Sequence, residues 1–307
     1  MTDLIVTTGT GTGGARSSAA EIEQMLRRPT ARRRRERRSR WLWGIPLWIV
    51  ALAFLAPFAW MVSTSLKQSV DAYRIPMQWL PSPVQWRNYL EVLVGENSVL
   101  PAFLNSIFVA FMRVAGELLT ATMAGYAFAR IRFRGRDKIF LLYLATAIIP
   151  SQLLLVPRFI YFQKLGLYDT LWSLILPGMF TVLGTFLMRQ FFISQPKDFA
   201  EAARMDGAGE WRIFFRIYLP MAAPVMSALG ILAFVWSWND YETPLVLISN
   251  PDAYTLPLSL TNFVDEQGQM DPGLSMAASV VSIVPVLIVF VLLQRKFVAA
   301  MTHTGIK

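Results

Sequence analysis

The stretch Glu201–Pro220, EAARMDGAGEWRIFFRIYLP, carries six charged side chains and lies between long apolar runs. Just ahead of it, Pro196 suits a first helical turn, where its missing N–H costs nothing. Asp198 and Glu201 place negative charge near the positive end of that helix. Gly207 and Gly209 then bracket a break. From there Trp211, Phe214, Phe215 and Tyr218 recur at i, i+3, i+4 and i+7. That spacing predicts a second, amphipathic helix able to lie at a membrane face before Pro220. The first helix is too short and too charged to cross a membrane, and Ala202 and Ala203 give it a small face for close approach. A short helix, a glycine turn and an interfacial helix together suit insertion into a partner's groove.

Outward from this stretch the chain is built for lipid. Its 307 residues are 54% hydrophobic and 16% charged, with a mean hydropathy of +0.43. Soluble domains hold about a quarter charged residues. Six apolar runs approach the roughly 20 residues that cross a bilayer core of about 30 Å. They are Trp41–Ser63, Leu104–Tyr126, Ile139–Val156, Leu171–Phe192, Met221–Tyr241 and Leu274–Gln294. With the N-terminus inside, the inner segments hold 23 of the 29 Lys and Arg and the outer segments hold five. That asymmetry predicts an all-α polytopic membrane protein with six spans, N-in and C-in. It also accounts for the net charge of +9 without nucleic acid as a partner.

The terminal segments read differently. Residues 1–40 form a basic extension whose Gly/Thr/Ser stretch has too little apolar surface to fold, so it is expected to be disordered and cytoplasmic. No Gly-Lys-Ser/Thr follows its glycines, which argues against a phosphate cradle. The run Arg32–Arg40, RRRRERRSR, sets topology and can also meet anionic membrane lipid. The first apolar run follows this basic region as a signal peptide would, with Ala51–Ala53 as a small-residue site. It continues through Val62, long enough to span, and reads as an uncleaved helix. The six-span domain then covers 41–295, with the loop 193–220 inside it and a cytoplasmic tail over 296–307. There is no cysteine, and the single histidine, His303, reads as an ordinary tail residue.

Between spans, the outer loops Thr64–Phe103 and Glu242–Gly273 are long, and the latter holds five acids and no Lys or Arg. Its proline and Asn-Pro turns predict an ordered loop, a docking surface for something outside the membrane. Pro57, Pro150, Pro177-Gly178, Pro224 and Pro285 interrupt spans, as in transporters, although proline is also common in membrane helices generally. Arg113 and Glu117, four apart, can pair along one helical face or meet a substrate. Ser275, Ser279 and Ser282 share a face, for packing or for lining a path. Asn239 and Asp240 in WSWNDY (Trp236–Tyr241) suit an aqueous vestibule, and the flanking aromatics suit a membrane interface or a stacked sugar. Gln152, Asn239 and Ser279 are the candidate path-lining residues, because a polar solute needs fixed donors and acceptors and apolar spans supply few.

One resemblance joins these observations. The order Glu-Ala-Ala, three residues, Gly, nine residues, Ile, one residue, Leu-Pro is met by Glu201-Ala202-Ala203, Gly207, Ile217 and Leu219-Pro220. This resembles the EAA loop of ABC-importer permeases, and Asp206 before Gly207 matches its common form. LNSIFVA (Leu104–Ala110), AGYAFAR (Ala124–Arg130), LGLYDTLWSLILP (Leu165–Pro177) and WSWNDYETPL (Trp236–Leu245) look like the carbohydrate, maltose-permease-like branch. The resemblance covers about residues 40–307, and the basic extension is outside it.

It implies a type I importer permease fold with a cytoplasmic coupling helix seated in an ABC ATPase dimer. It further implies a second homologous permease subunit and an extracytoplasmic sugar-binding protein at the outer loops. The function implied is sugar import across a bacterial or archaeal cytoplasmic membrane. The same architecture carrying a sugar-phosphate or polyol is the near alternative, and a proton-coupled carrier the distant one. The chain has no Gly-x4-Gly-Lys-Ser/Thr and no metal-ligand cluster. It is therefore expected to hold no cofactor and to catalyse nothing, with ATP and Mg on the partner ATPase.

Overall fold

The computed structural model describes residues 29–263 and 271–304, and among these the regular elements are all helices. The chain divides into two units, 1–60 and 61–307. Most of helix α1 (Pro29–Ser65) lies in the first. Its stretch Gly44–Ser65 has a mean hydropathy of 2.1, with no residue of its apolar window buried. A helix apolar on every side belongs in lipid. Residues 29–40, expected to be disordered, are helical and run into α1 without a break. Arginine is a good helix former, so low hydrophobicity there does not mean an irregular backbone. The rest of the expected disordered extension, 1–28, lies outside the described residues.

In the second unit the helices are α2 (Arg87–Val94), α3 (Leu100–Arg130), α4 (Arg136–Ala145), α5 (Leu155–Lys164), α6 (Leu171–Gly178), α7 (Val182–Ser194), α8 (Asp198–Met205), α9 (Glu210–Met221), α10 (Ala223–Trp238), α11 (Glu242–Leu247) and α12 (Pro272–Thr304). Four stretches are individually long and apolar enough to cross a membrane: Gly44–Ser65, Leu100–Arg130, Leu171–Ser194 and Pro272–Leu292. Two more qualify only as bent pairs, α4–α5 at 91° and α9–α10 at 73°, giving up to six.

Both bends have local causes. After α4 the chain tightens into a 3₁₀ turn at Thr146–Ile148, and Ile149 becomes extended with ψ 115°. A residue before proline is pushed out of the helical region, and Pro150 follows. The run Ile139–Val156 therefore turns a corner midway instead of crossing as one rod. In the second pair, Ala222 sits between Pro220 and Pro224 with ψ −6°, and Pro224 opens α10. Proline fits best in a first helical turn, yet Pro57 and Pro285, expected to interrupt their spans, lie inside the continuous helices α1 and α12.

Helix α3 is the central element, packed along α7, α10 and α6. Its contact with α7 is close because Gly125 has no side chain. A Cβ there would stand 2.6 Å from Cβ of Met188. Small residues let membrane helices approach in this way. Near the C-terminal end of α3, Tyr126 is enclosed by Phe192, Phe214 and Tyr218, with ring centroids 5.7, 5.0 and 5.5 Å away. Aromatic pairs at these tilted and edge-on geometries add to the gain from burial.

The expected stripe of aromatics in α9 is divided. Phe214–Tyr218 form a π turn, which widens the helix beyond its usual period. Ile213, Phe214 and Tyr218 are buried, whereas Trp211 and Phe215 are exposed and stacked on each other at 5.9 Å. The loops beyond the helices are ordered where described. Asn88 Nδ2 donates to the carbonyls of Ser65 and Lys67 at 2.9 Å. Asp169 Oδ1 accepts from the backbone N–H groups of Ser249 and Asn250 at 2.7 and 2.8 Å.

Candidate functional site

Helix α8 follows the cap residue Lys197, whose carbonyl accepts from the N–H groups of Ala200 and Glu201 at 3.0 and 3.1 Å. Pro196 lies one residue before that cap, just outside the first turn where the sequence placed it. The helix stops at Gly207, which has φ +77°. The Ala208 N–H donates to the Ala203 carbonyl at 2.9 Å, and the Gly207 N–H to the Arg204 carbonyl at 3.0 Å. This pair of bonds is a Schellman motif, and it satisfies carbonyls that a helix end leaves open. Ala200 is buried and Ala203 half-buried against the Tyr126 cluster. Glu201, Ala202, Arg204, Asp206 and Gly207 are exposed, and Met205 is 89% exposed. Ile217 and Leu219 pack on the cluster from α9, while Pro220 is exposed at the surface.

A polar contact ties α8 to its neighbours. Arg204 donates from Nε and Nη2 to Glu210 Oε1 at 3.0 and 2.7 Å, and Tyr126 Oη donates to Glu210 Oε2 at 2.9 Å. The hydrogen bond to Glu210 holds the Arg204 guanidinium above even its usual high range. Arg130, one turn beyond Tyr126, donates to the carbonyls of Phe192 and Gln195 and lies 4.8 Å over the Tyr218 ring. Two α3 residues thus fasten the junction where α7, α8 and α9 meet.

A polar cavity of about 680 Å³ lies further back along α3. It is lined by Arg113 and Glu117 from α3, Gly178 and Thr181 from the α6–α7 break, and Trp236 and Asn239–Thr243 around the end of α10. Ser151 and Arg158 close it from the α5 side. The sequence pairs Arg113 with Glu117, but the guanidinium Nη1 instead donates to Asp240 Oδ2 at 2.8 Å. Its path passes over Gly178, where a Cβ would stand 2.0 Å from Arg113 Nε. Glu117 is buried, shares the cavity wall with Arg113 and Thr181, and its Oε1 has no hydrogen-bond partner. A buried carboxylate oxygen without a donor is costly, so Glu117 offers an acceptor to a water or a hydroxyl entering the cavity.

A family model described as "Binding-protein-dependent transport system inner membrane component" matches residues 118–303, from the middle of α3 past the α8–α9 turn to the end of α12. The chain belongs to this family. Members are permease subunits of ABC transporters and are not themselves the catalytic part. One similar protein is the arabinooligosaccharides transport system permease protein AraQ of Halalkalibacterium halodurans. It is 34% identical over 269 residues, covering 87% of this chain and 96% of that protein. The sn-glycerol-3-phosphate transport system permease protein UgpE of Yersinia pestis is 32% identical, covering 85% of this chain and 95% of its own length. Among solved structures, a bacterial ABC transporter involved in import of the acidic polysaccharide alginate contains a chain of the same fold. The TM-score is 0.75 at 27% identity, over 85% of this permease and 98% of that chain.

The residues singled out in the permease sequence fall in three places. Glu201, Ala202, Ala203, Asp206, Gly207, Ile217, Leu219 and Pro220 all belong to the α8–α9 unit. Of the three path candidates, Asn239 lines the cavity. Gln152 borders it, donating from Nε2 to Glu242 Oε2 at 3.2 Å. Ser279 is elsewhere, on α12, its hydroxyl donating to the Ser275 carbonyl at 2.7 Å. The neighbouring Ser282 carbonyl accepts from Trp238 Nε1 at 3.0 Å, so this face of α12 meets the end of α10. The sequence reading missed Glu210 and Thr181, and neither has a local signature. Their partners are brought in by the packing of α3 against α7 and α9.

Proposed function

We propose that this chain is the translocation subunit of an ATP-driven saccharide importer, with α8 as its coupling helix and the polar cavity as part of the substrate path. One observation carries the reading. Helix α8 is closed by a Schellman turn and seated on the Tyr126 cluster through its alanine face, while Glu201, Ala202 and Met205 on its other side are exposed. An exposed helix this short has little stability of its own, and its bare face suits a groove on a separate ATPase dimer that holds ATP and Mg. Six spans with both termini inside place α8 in the cytoplasm, and a second permease completes the pathway. An extracytoplasmic binding protein meets the ordered outer loops.

The saccharide reading follows AraQ, and the cavity agrees with it. Trp236 and Tyr241 line the cavity beside Asn239, Thr243 and the unpartnered Glu117 oxygen, a mixture of aromatic and polar groups that suits stacking with hydroxyl recognition. Its two arginines face three carboxylates, Glu117, Asp240 and Glu242, a balance that does not favour a phosphate-bearing substrate.

The test is co-expression with the partner subunits, followed by uptake of labelled arabinooligosaccharide. Glu201→Lys reverses a charge on the free face of α8 and is expected to abolish both ATPase co-purification and uptake. Unaltered assembly and uptake would rule α8 out as the contact. Orientation is checked in the natural cysteine-free background with an impermeant thiol reagent on intact cells. Cysteines replacing the exposed Asn97 and Asn262 should label, and those replacing Arg134 and Met205 should not; the reverse pattern would overturn the topology.

A further inference from the structure

Two of the residues between α8 and α9 stand in open space, on either side of Ala208, which packs on the core. A Cβ at Gly207 or at Gly209 would meet nothing within 4 Å. Two glycines in open space leave a backbone free to pivot, so the turn by itself does not fix the direction in which α8 points. Glu210, the first residue of α9, supplies what the turn lacks. Both of its oxygens are engaged, Oε1 by the fork of Arg204 on the last turn of α8 and Oε2 by the Tyr126 hydroxyl of α3. Tyr126 is buried and held on three sides by Phe192, Phe214 and Tyr218. The carboxylate therefore bridges an exposed helix to a rigid point in the transmembrane core.

We infer that Glu210 is a positioning residue that locks the coupling helix to α3, so that displacement of α8 is delivered to α3 instead of being lost in the glycine turn. This rests on the coupling reading above. An exposed Arg–Glu pair alone contributes little to stability. The third partner distinguishes this one, because a charge-assisted bond to a fixed, buried phenol gives direction as well as energy. The remaining link between α8 and the core is apolar, through Ala200, Ala203 and Ala208. Small methyl contacts permit sliding and rotation that a three-centre polar lock forbids. Coupling between sites needs such a physically connected element.

The experiment uses the whole transporter, this chain assembled with its second permease and ATPase subunits, and two readouts. The first is the distance distribution between spin labels on cysteines replacing Met123 in α3 and Met205 at the tip of α8. It should be narrow in the wild type and broad in Glu210→Ala. It needs no sugar, so it separates failure of the lock from failure of the saccharide reading. The second is ATP hydrolysis with the binding protein, loaded with arabinooligosaccharide, divided by hydrolysis without it. That ratio should fall by roughly fivefold or more in Glu210→Ala, the range of ordinary site-to-site coupling. The exchange Arg204→Glu with Glu210→Arg should restore both readouts, while each single reversal should not. If Glu210→Ala fails to assemble, Tyr126→Phe, which removes one hydroxyl, decides by the same two measurements. A narrow distribution without Glu210, or a broad one with an unchanged hydrolysis ratio, would overturn the inference.

Discussion

Two arginine–carboxylate pairs of nearly equal length lie at the two ends of the pathway proposed above. Arg113–Asp240 is 2.8 Å long with side chains 19% and 17% exposed; Arg204–Glu210 is 2.7 Å long with 46% and 45% exposed. The first joins residues 127 positions apart across three helical segments, and the second joins residues six apart across a turn. Burial makes the first pair expensive to break, because the surviving charge is left where water solvates it poorly. Exposure makes the second cheap to break, so its worth lies in the geometry it imposes. Equal hydrogen-bond lengths thus conceal a structural tie in one place and a mechanical one in the other.

The largest effect is expected from Arg113→Met. It leaves Asp240 without its guanidinium partner and should destabilise the assembled transporter by about 2–4 kcal/mol, somewhat below the fully buried case. Thermal unfolding of the purified complex measures this. A loss no larger than that of Arg204→Gln would erase the distinction between the pairs. Next comes Gly178→Ala, whose methyl collides with the Arg113 guanidinium at a cost of about 1–3 kcal/mol. In an Arg113→Met background that penalty should largely vanish, and a fully additive double mutant would show the collision is not the cause.

A smaller and more local effect is expected at Gly207, where the positive φ disfavours branched side chains. Gly207→Val should cost about 1–2 kcal/mol and loosen ATPase co-purification, whereas Gly207→Asn, which tolerates that backbone region, should stay near wild type. Equal behaviour of the two variants would show that the turn does not set the helix end. The smallest effect belongs to Ser279→Ala, expected to lie within about 0.5 kcal/mol and to leave uptake nearly intact, since its hydroxyl is spent on its own helix. A large uptake defect with normal assembly would return Ser279 to the substrate path.

The parts of this architecture that depend on neighbours in sequence were legible in it. Helix α8 and its stop follow from Asp198, Glu201 and Gly207 within ten positions, and the breaks at Pro150 and Pro177-Gly178 follow from proline itself. What sequence did not disclose depends on packing. Glu117 is the obvious partner for Arg113 because it lies one turn away, yet Asp240 arrives from beyond the end of α10 to take the guanidinium, and Glu117 Oε1 is left unpartnered. The stripe of aromatics in α9 assumes a 3.6-residue period, and the π turn at Phe214–Tyr218 breaks that period with no local signal. Nor does proline alone decide where a span breaks: the chain turns by 91° around Pro150, whereas α1 and α12 run on through Pro57 and Pro285.

Helix α8 has one further property, which comes from its length. Eight residues at about 1.5 Å each make a peg of about 12 Å, far shorter than the distance over which helices curve. Such a peg cannot absorb a load by flexing. A push on the exposed Met205 tip becomes a torque about the Lys197 end, with the alanine face as fulcrum and the ring cluster around Tyr126 as bearing. Lengthening the helix by one turn would increase the lever arm by nearly half while leaving the fulcrum in place. Stroke and leverage would then change together, which makes the position of the glycine stop a mechanical setting of the machine.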